Sequence, residues 1–478
     1  MTMDSRSRWF ALYTLCLASL MIVLDATIVN VALPSIKSDL GFNETSLAWV
    51  VNAYLLTYGG LLLLGGRLGD LFGPRRLFLI GIGLFTLASL LCGLSTSQAM
   101  LIVARSIQGV GGAIASAVSL GLTMTIFTEP ADRAKAMGVF GFVSAGGGSI
   151  GVLLGGVLTD LLSWHWIFLV NVPIGALVVL LSLRLLPATP GHATGRLDVG
   201  GAVTVTGALM LAVYAIVNGN HNGWLSGPTL GFLSGALALF VVFLVLETRV
   251  AAPLMPLRLF RIRNLAVADT VGVLWAASMF AWFFLAALYL QFVLGYKPLK
   301  VGLAFLPANL IMGTFALGLS AKIVMRYGLR LPVGIGLGLA AVGLGLFFRA
   351  PVEGSFLRDV LPSMILLGFG AGMAFNPVLL AAMSDVEPTE AGLASGIANT
   401  SFMMGGALGL AILASVAESR SASLTRAGDS HLSALTGGYH LAFVISALFA
   451  IVAAALGAAL LRDRTREAHP APAPAQAA

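Results

Sequence analysis

Apolar runs of about twenty residues recur along nearly the whole chain, separated by short polar stretches. They begin near residues 10, 46, 76, 99, 134, 165, 198, 228, 265, 300, 330, 357, 391 and 438. Runs of this length match the thickness of a bilayer's hydrocarbon core at 1.5 Å per residue. The pattern predicts an all-α polytopic membrane protein with about fourteen transmembrane helices. Short connections leave no room for a separate catalytic domain.

Within these runs glycine follows a ladder. Gly138, Gly147, Gly151, Gly155 and Gly156 lie in one apolar stretch, and the first three recur as Gly396, Gly405 and Gly409, displaced by 258 positions. Glycine costs roughly 1 kcal/mol against alanine inside a helix, so a repeated ladder predicts close helix contacts. Gly109 and Gly111 recur as Gly368 and Gly370. The stretch Arg67–Arg75 has a weaker echo at Lys322–Arg330. Each match shifts by eight helices, as two related six-helix halves separated by two extra helices require. Residues 1–187 are expected to form the first bundle, 188–263 the two intervening helices with their linkers, and 264–463 the second bundle. Internal symmetry of this kind marks two-bundle transporters.

Composition agrees. Hydrophobic residues make up 58% of the chain and charged residues only 10%, where soluble domains carry about 25% charged. Arg6 and Arg8 precede the first apolar run, which contains Asp25 and ends at Leu33-Pro34 without a small-residue cleavage site, so a retained helix is expected. The Pro/Ala-rich stretch 464–478 is expected to be a disordered cytoplasmic tail. Cys16 and Cys92 fall within predicted spans and suit apolar packing.

Of 27 Lys and Arg residues, nineteen lie at the termini and in the loops on their side; seven lie on the other. The positive-inside rule therefore predicts both termini in the cytoplasm of a cell that holds this protein in its plasma membrane. The net charge of +7 follows from that asymmetry and suits anionic lipid headgroups. No segment clusters basic residues with aromatics, so no nucleic-acid partner is expected.

Enzymatic motifs fail. Gly146–Gly151 formally satisfies G-x-G-x-x-G but lies inside an apolar span with no preceding strand. The chain has no G-x-x-x-x-G-K-[ST], no H-E-x-x-H and no metal-ligand spacing of cysteines. No cofactor and no enzyme activity are expected. The energy for transport must come from a gradient, and one charge moved through 100 mV supplies about 2.3 kcal/mol.

Four motifs in order resemble the fourteen-helix drug:proton antiporters of the major facilitator superfamily. LDATIVNVALP (Leu24–Pro34) matches the first-helix motif, and GGRLGDLFGPRR (Gly65–Arg76) matches the signature between helices two and three. LIVARSIQGVGGA (Leu101–Ala113) matches the helix-four motif with its membrane arginine, and Gly138 to Gly156 follows the antiporter motif of helix five. Two positions depart: the motif's Gly-Pro reads Gly151-Val152, and the usual Trp-Arg-Trp reads Trp164-His165-Trp166. The resemblance implies a major facilitator fold and a proton-coupled multidrug efflux function. It also implies a part in proton transfer for Arg105, and gate roles for Arg67, Asp70 and Arg75.

The residues carry their own arguments. Asp25 lies roughly 22 Å along its span, in the outer half of the bilayer, where a charge costs about 2.5–3.5 kcal/mol and usually marks a proton or ion path. A carboxyl there lets a substrate cation compete with a proton; the plain alternative is packing through hydrogen bonds. The mechanism fails if that carboxyl faces lipid or is locked in an ion pair without an aqueous route. Arg105 either snorkels to the interface or faces a cavity with Gln108. Gly69 and Gly73 permit a tight turn, Pro74 suits a helix start, and Arg133 is a partner for Asp70.

Trp275, Met279, Trp282 and Phe283 form a stripe that either lines a drug cavity or packs against neighbours. Asn52 and Tyr54 are further cavity candidates. Asp269 is expected to be stabilised by a helix N-terminus, Asp198 to cap a helix, and His165 to be structural. Partners are expected to be a small molecule, protons and lipid, with the monomer as the functional unit.

Overall fold

The computed structural model describes residues 4–127, 129–187, 197–251, 253–387 and 390–462. Its helices are α1 (Ser5–Leu40), α2 (Glu44–Phe72), α3 (Pro74–Gly93), α4 (Gln98–Ile126), α5 (Pro130–Leu161), α6 (Trp166–Leu169), α7 (Asn171–Leu185), α8 (Val199–Asn222) and α9 (Gly227–Arg249). They continue as α10 (Arg263–Leu288), α11 (Pro298–Thr314), α12 (Ser320–Tyr327), α13 (Arg330–Phe347), α14 (Leu361–Met383), α15 (Ala391–Arg426) and α16 (His431–Leu460). Taking α6 with α7 and α11 with α12, these make fourteen rods. Twelve helices among the described residues are long and apolar enough to cross a membrane. The remaining two rods are α5 and the broken α11–α12.

Local chemistry sets the ends. Asn43 accepts from Ser46 N at 2.6 Å while Ser46 Oγ accepts from Asn43 N, a reciprocal box that starts α2. Ser97, Ser226 and Ser430 cap α4, α9 and α16. Asp198 Oδ1 accepts from Gly201 N at 2.7 Å, so the expected cap is present. Between α11 and α12 a π-helical turn, Phe315–Leu319, contains Gly318 at φ +113°. That break explains why this rod is two shorter helices.

The connection between α2 and α3 differs from the expected loop. α2 runs on to Phe72, and Gly73 alone makes the turn at φ +91° with Pro74 opening α3. Gly69 and Asp70 are therefore helical. Gly69 is needed for close approach instead, because a Cβ there would stand 2.5 Å from Val118 Cγ1 of α4.

The glycine ladders bind helix pairs in matching fashion. A Cβ at Gly151 would come within 2.1 Å of Thr27 Oγ1 and one at Gly155 within 2.5 Å of the Ile28 carbonyl oxygen, both on α1. Gly147 faces Leu20 and Val23 on the same helix. In the second half Gly405 and Gly409 meet Val273 and Ala277 of α10. Gly109 and Gly111 of α4 touch α2 and α3; Gly368 and Gly370 of α14 touch α11 and α13. The two sets are the same contacts made twice, eight rods apart. Gly138 lies outside the described residues as regards its contacts.

α1–α7 pack chiefly among themselves, as do α10–α16, while α8 and α9 pair with each other and α8 touches α2 and α15. The two sets meet along α2 with α15 and along α5 with α11. On the face opposite the termini, Gly156 lies against the Pro298 carbonyl and Gly302 against that of Val152. Gln291 Nε2 donates there to Val31 O at 3.0 Å. Those contacts close that end of the seam. Nearer the termini Gly59 meets Met403 and Gly396 meets Leu63.

Candidate functional site

Asp25 stands about 30 Å along α1 from its first residue, and α3, α4 and α7 bring polar groups to it. Arg105 Nη1 donates to Asp25 Oδ2 at 2.5 Å, and neither side chain is exposed. Gln108 Nε2 and Asn171 Nδ2 each donate to Asp25 Oδ1 at 2.8 Å. The same two nitrogens lie 2.6 and 3.0 Å from Ser89 Oγ. Arg105 Nε donates to the Val50 carbonyl at 2.9 Å, and its Nη1 reaches Gln108 Oε1 at 2.6 Å. The guanidinium carbon lies 4.3 Å from the centre of the Tyr54 ring. Four helices thus converge on one carboxylate.

Arg105 does not snorkel; it is fully buried and bonded inward. A buried ion pair survives only when its remaining donors and acceptors are satisfied, and here the carboxylate has three donors. Arg105 Nη2 and Asn171 Oδ1 remain buried without partners, two polar atoms held ready for another arrangement. The carboxyl that the sequence reading needs in contact with water is closed off in this conformation. Helix geometry explains the grouping: Arg105 and Gln108 are three residues apart on one face of α4. Asn171 and Ser89 escaped sequence reasoning. Their one signal is a polar side chain inside an apolar run.

Of the cavity candidates, Tyr54 and Gln108 belong to this cluster. Trp282, Phe283 and Phe305 of α11 form a ring cluster with centroid separations of 4.4, 5.4 and 5.7 Å. Trp275, Trp282 and Phe283 are buried and Met279 is half-buried, so the stripe is packed here. The indole nitrogens of Trp275 and Trp282 have no partner. Asn52 is fully buried with both amide atoms unpaired. A hollow of about 530 Å³ opens instead at the face opposite the termini, between Pro34, Asp39, Gln291 and Tyr296.

At the other face Arg75 donates to the Leu183 carbonyl of α7, and Arg67 is exposed. The side chains of Asp70 and Arg133 lie outside the described residues. Trp164 Nε1 donates to Asp39 Oδ2 at 2.9 Å with His165 stacked on its ring, a structural role for that histidine. Asp269 stands six residues inside α10, beyond the free amides of the first turn, so the expected N-terminal stabilisation is not what holds it. Among the described residues no three His, Cys, Asp or Glu side chains gather as a metal site.

Residues 15–410 match the family described as the Major Facilitator Superfamily. The chain is 38% identical over 469 residues to the puromycin resistance protein of Streptomyces alboniger, covering 96% of this chain and 93% of that one. It is 38% identical over 450 residues to the cephamycin export protein of Amycolatopsis lactamdurans, covering 93% and 91%. Among solved structures, a bacterial homologue of the human lysosomal transporter Spinster, inward-facing and unoccupied, aligns over 98% of this chain and 100% of that chain. Its TM-score is 0.68 at 16% identity. The nucleoside transporter NupG aligns over 95% and 100% with TM-score 0.62 at 13% identity. These two likenesses concern the fold.

Proposed function

This chain belongs to the major facilitator superfamily, a multi-pass membrane transporter rather than an enzyme, and from that membership we propose that it is a proton-coupled antiporter. It exports small, mostly hydrophobic compounds from the cytoplasm across the plasma membrane. Relatives named for puromycin resistance and cephamycin export support the outward direction. Both termini are cytoplasmic, the proton gradient is the energy source, and the monomer is the working unit. The bundles of residues 1–187 and 264–463 rock about the seam between them.

The observation that carries this reading is the buried Asp25–Arg105 pair with its ring of donors. While Asp25 is ionised, Coulomb attraction and the Gln108 and Asn171 donors tie α1 to α4 and α7. A proton arriving from outside removes the charge that Arg105 answers. Arg105 keeps its bonds to Val50 O and Gln108, so α1 is the partner released. α1 also carries Val31, which closes the outer seam against Gln291. Protonation therefore loosens the helix that seals the exit, and substrate leaves. In the sealed form the pair is shut; alternating access supplies the aqueous route that exchange at Asp25 requires.

The test is efflux driven by a proton gradient in inside-out vesicles. Asp25→Asn should insert normally and lose gradient-driven transport; wild-type transport by that variant removes Asp25 from the mechanism. Substrate moving in the opposite direction makes the protein an importer, and no substrate-dependent proton flux makes it a sensor. Asp70→Asn should slow turnover with little loss of binding, as expected of a gate residue. An unchanged rate counts against that role.

A further inference from the structure

A second aspartate is buried in the other bundle. Asp269 of α10 is 6% exposed, and neither of its carboxylate oxygens has a hydrogen-bond partner. Burying an ionised carboxylate without donors costs several kcal/mol, so the side chain must meet a positive charge in some state of the transporter.

The surrounding helices do not supply one. α14 has no ionisable residue between Leu361 and Met383, and Asp385 follows it. α15 has none between Glu390 and Glu418, and Glu390 pairs with Arg258. α16 has none between His440 and its end, after which comes Arg462. Arg263, at the start of α10, donates its Nε to the Leu460 carbonyl. α1 brings Arg6 and Arg8 at its beginning and then Asp25, which Arg105 occupies.

The position on α10 is informative. Residues 269, 272, 276, 279 and 283 share one helix face. Phe283 is the repeat counterpart of Asp25 under the 258-residue shift. Asp269 is therefore on the stripe that corresponds to the Asp25 stripe of α1, about 21 Å nearer the terminal face than Phe283. Gly272, one turn along, leaves open space: a Cβ there would meet only Val378 Cγ1, at 3.9 Å. On α14, Phe375 is 41% exposed despite lying among packed helices and touches Phe402.

We propose that Asp269 is a second charge-recognition site, which receives the cationic group of a monovalent organic cation on the cytoplasmic side before the cargo reaches the depth of Asp25. The site rests on the export reading but adds to it a residue in the C-terminal bundle and a substrate charge. Its carboxylate is the single anionic group of its neighbourhood without a built-in partner. A lipophilic cation satisfies it without bringing a hydration shell into the bundle.

The experiment measures equilibrium binding of tetraphenylphosphonium to the purified full-length protein in detergent. Transport of tetraphenylphosphonium and of neutral chloramphenicol is followed in proteoliposomes. Asp269→Asn should weaken tetraphenylphosphonium binding about tenfold, equivalent to ~1.4 kcal/mol. Asp269→Glu should restore most of it, and chloramphenicol transport should stay within about twofold of wild type. Asp269→Asn should also unfold at an equal or higher temperature, since it removes an unpaired buried charge; a merely structural aspartate would lower it. Unchanged tetraphenylphosphonium affinity in Asp269→Asn, or no binding by the wild type, overturns the site. Wild-type binding without gradient-driven movement of either compound defeats the export reading while leaving the binding test of Asp269 valid.

Discussion

Gly151 of α5 and Thr27 of α1 are so close that a Cβ on the glycine would stand 2.1 Å from the threonine Oγ1. The Leu24 carbonyl oxygen is 2.8 Å from the same point, so a side-chain rotation alone does not make room. Gly151→Ala must push α1 and α5 apart, which costs about 1–3 kcal/mol by overpacking. Gly148 is the control, because its nearest neighbour beyond its own helix is Thr27 Cγ2 at 4.0 Å. Gly148→Ala should leave thermal stability equal or raise it by up to about 1 kcal/mol through helix propensity. Equal melting temperatures for the two variants would show that the ladder does not set this helix contact.

The pair of Asp25 and Arg105 predicts a non-additive pattern. Asp25→Asn leaves a guanidinium buried and unable to shed its charge, so it should lose about 3–5 kcal/mol of stability. Arg105→Gln should lose less, because Gln108 and Asn171 still donate to the carboxylate, which also has the option of taking a proton. The double variant should recover much of the loss, with a coupling of about 0.5–3 kcal/mol in thermal unfolding of detergent-solubilised protein. Simple addition of the two single losses rules out a direct pair.

Much of this arrangement is legible in the chain because repetition exposes it. Gly405 and Gly409 repeat Gly147 and Gly151, and each set turns out to bind the first helix of its own half. Asp25 and Arg105 stand out as charges inside apolar runs. Glycine's two uses look alike in sequence, however. Gly69 reads as a turn residue yet sits within α2 against Val118, and only Gly73 takes the positive φ. Asn171 is 146 positions from Asp25, and nothing local to either residue says that α7 delivers it there. The stripe of Trp282 and Phe283 was open to two readings, since an apolar wall and an apolar contact have one composition; the ring of Phe305 on α11 decides for contact in this conformation.

Asn171 yields the next prediction. Its Nδ2 is one of three donors to Asp25 and also reaches Ser89. Asn171→Ala removes a hydrogen bond to a charged group, worth about 1.5–3 kcal/mol. Asn171→Asp should be worse, since it replaces a donor with an acceptor and sets a second carboxyl against Asp25. Thermal stability should fall in the order wild type, alanine, aspartate, and gradient-driven efflux should fall with it. An aspartate variant as stable as the alanine variant would mean that Asn171 does not support the charge on Asp25.

The two intervening helices carry a carboxyl pair of their own. Asp198 and Glu247 are 5% and 4% exposed, and each keeps one buried oxygen without a partner, Oδ2 and Oε1. Those two oxygens lie 2.5 and 2.9 Å from where a Gly201 Cβ would stand, so they face one another around that glycine. The other oxygens are engaged: Asp198 Oδ1 caps α8 through Gly201 N, and Glu247 Oε2 accepts from Met255 N at 3.0 Å. Like charges at this distance repel, and neither unpaired oxygen has a proton donor. Glu247→Gln keeps the acceptor for Met255 and turns an amide N–H toward Asp198, which removes the repulsion and fills an empty acceptor. That variant should be more stable by about 1 kcal/mol. Asp198→Ala, which loses the cap, should be less stable by about 1 kcal/mol. Thermal unfolding of the two variants beside wild type checks both signs; a glutamine variant less stable than wild type would show that the Glu247 charge is needed where it stands.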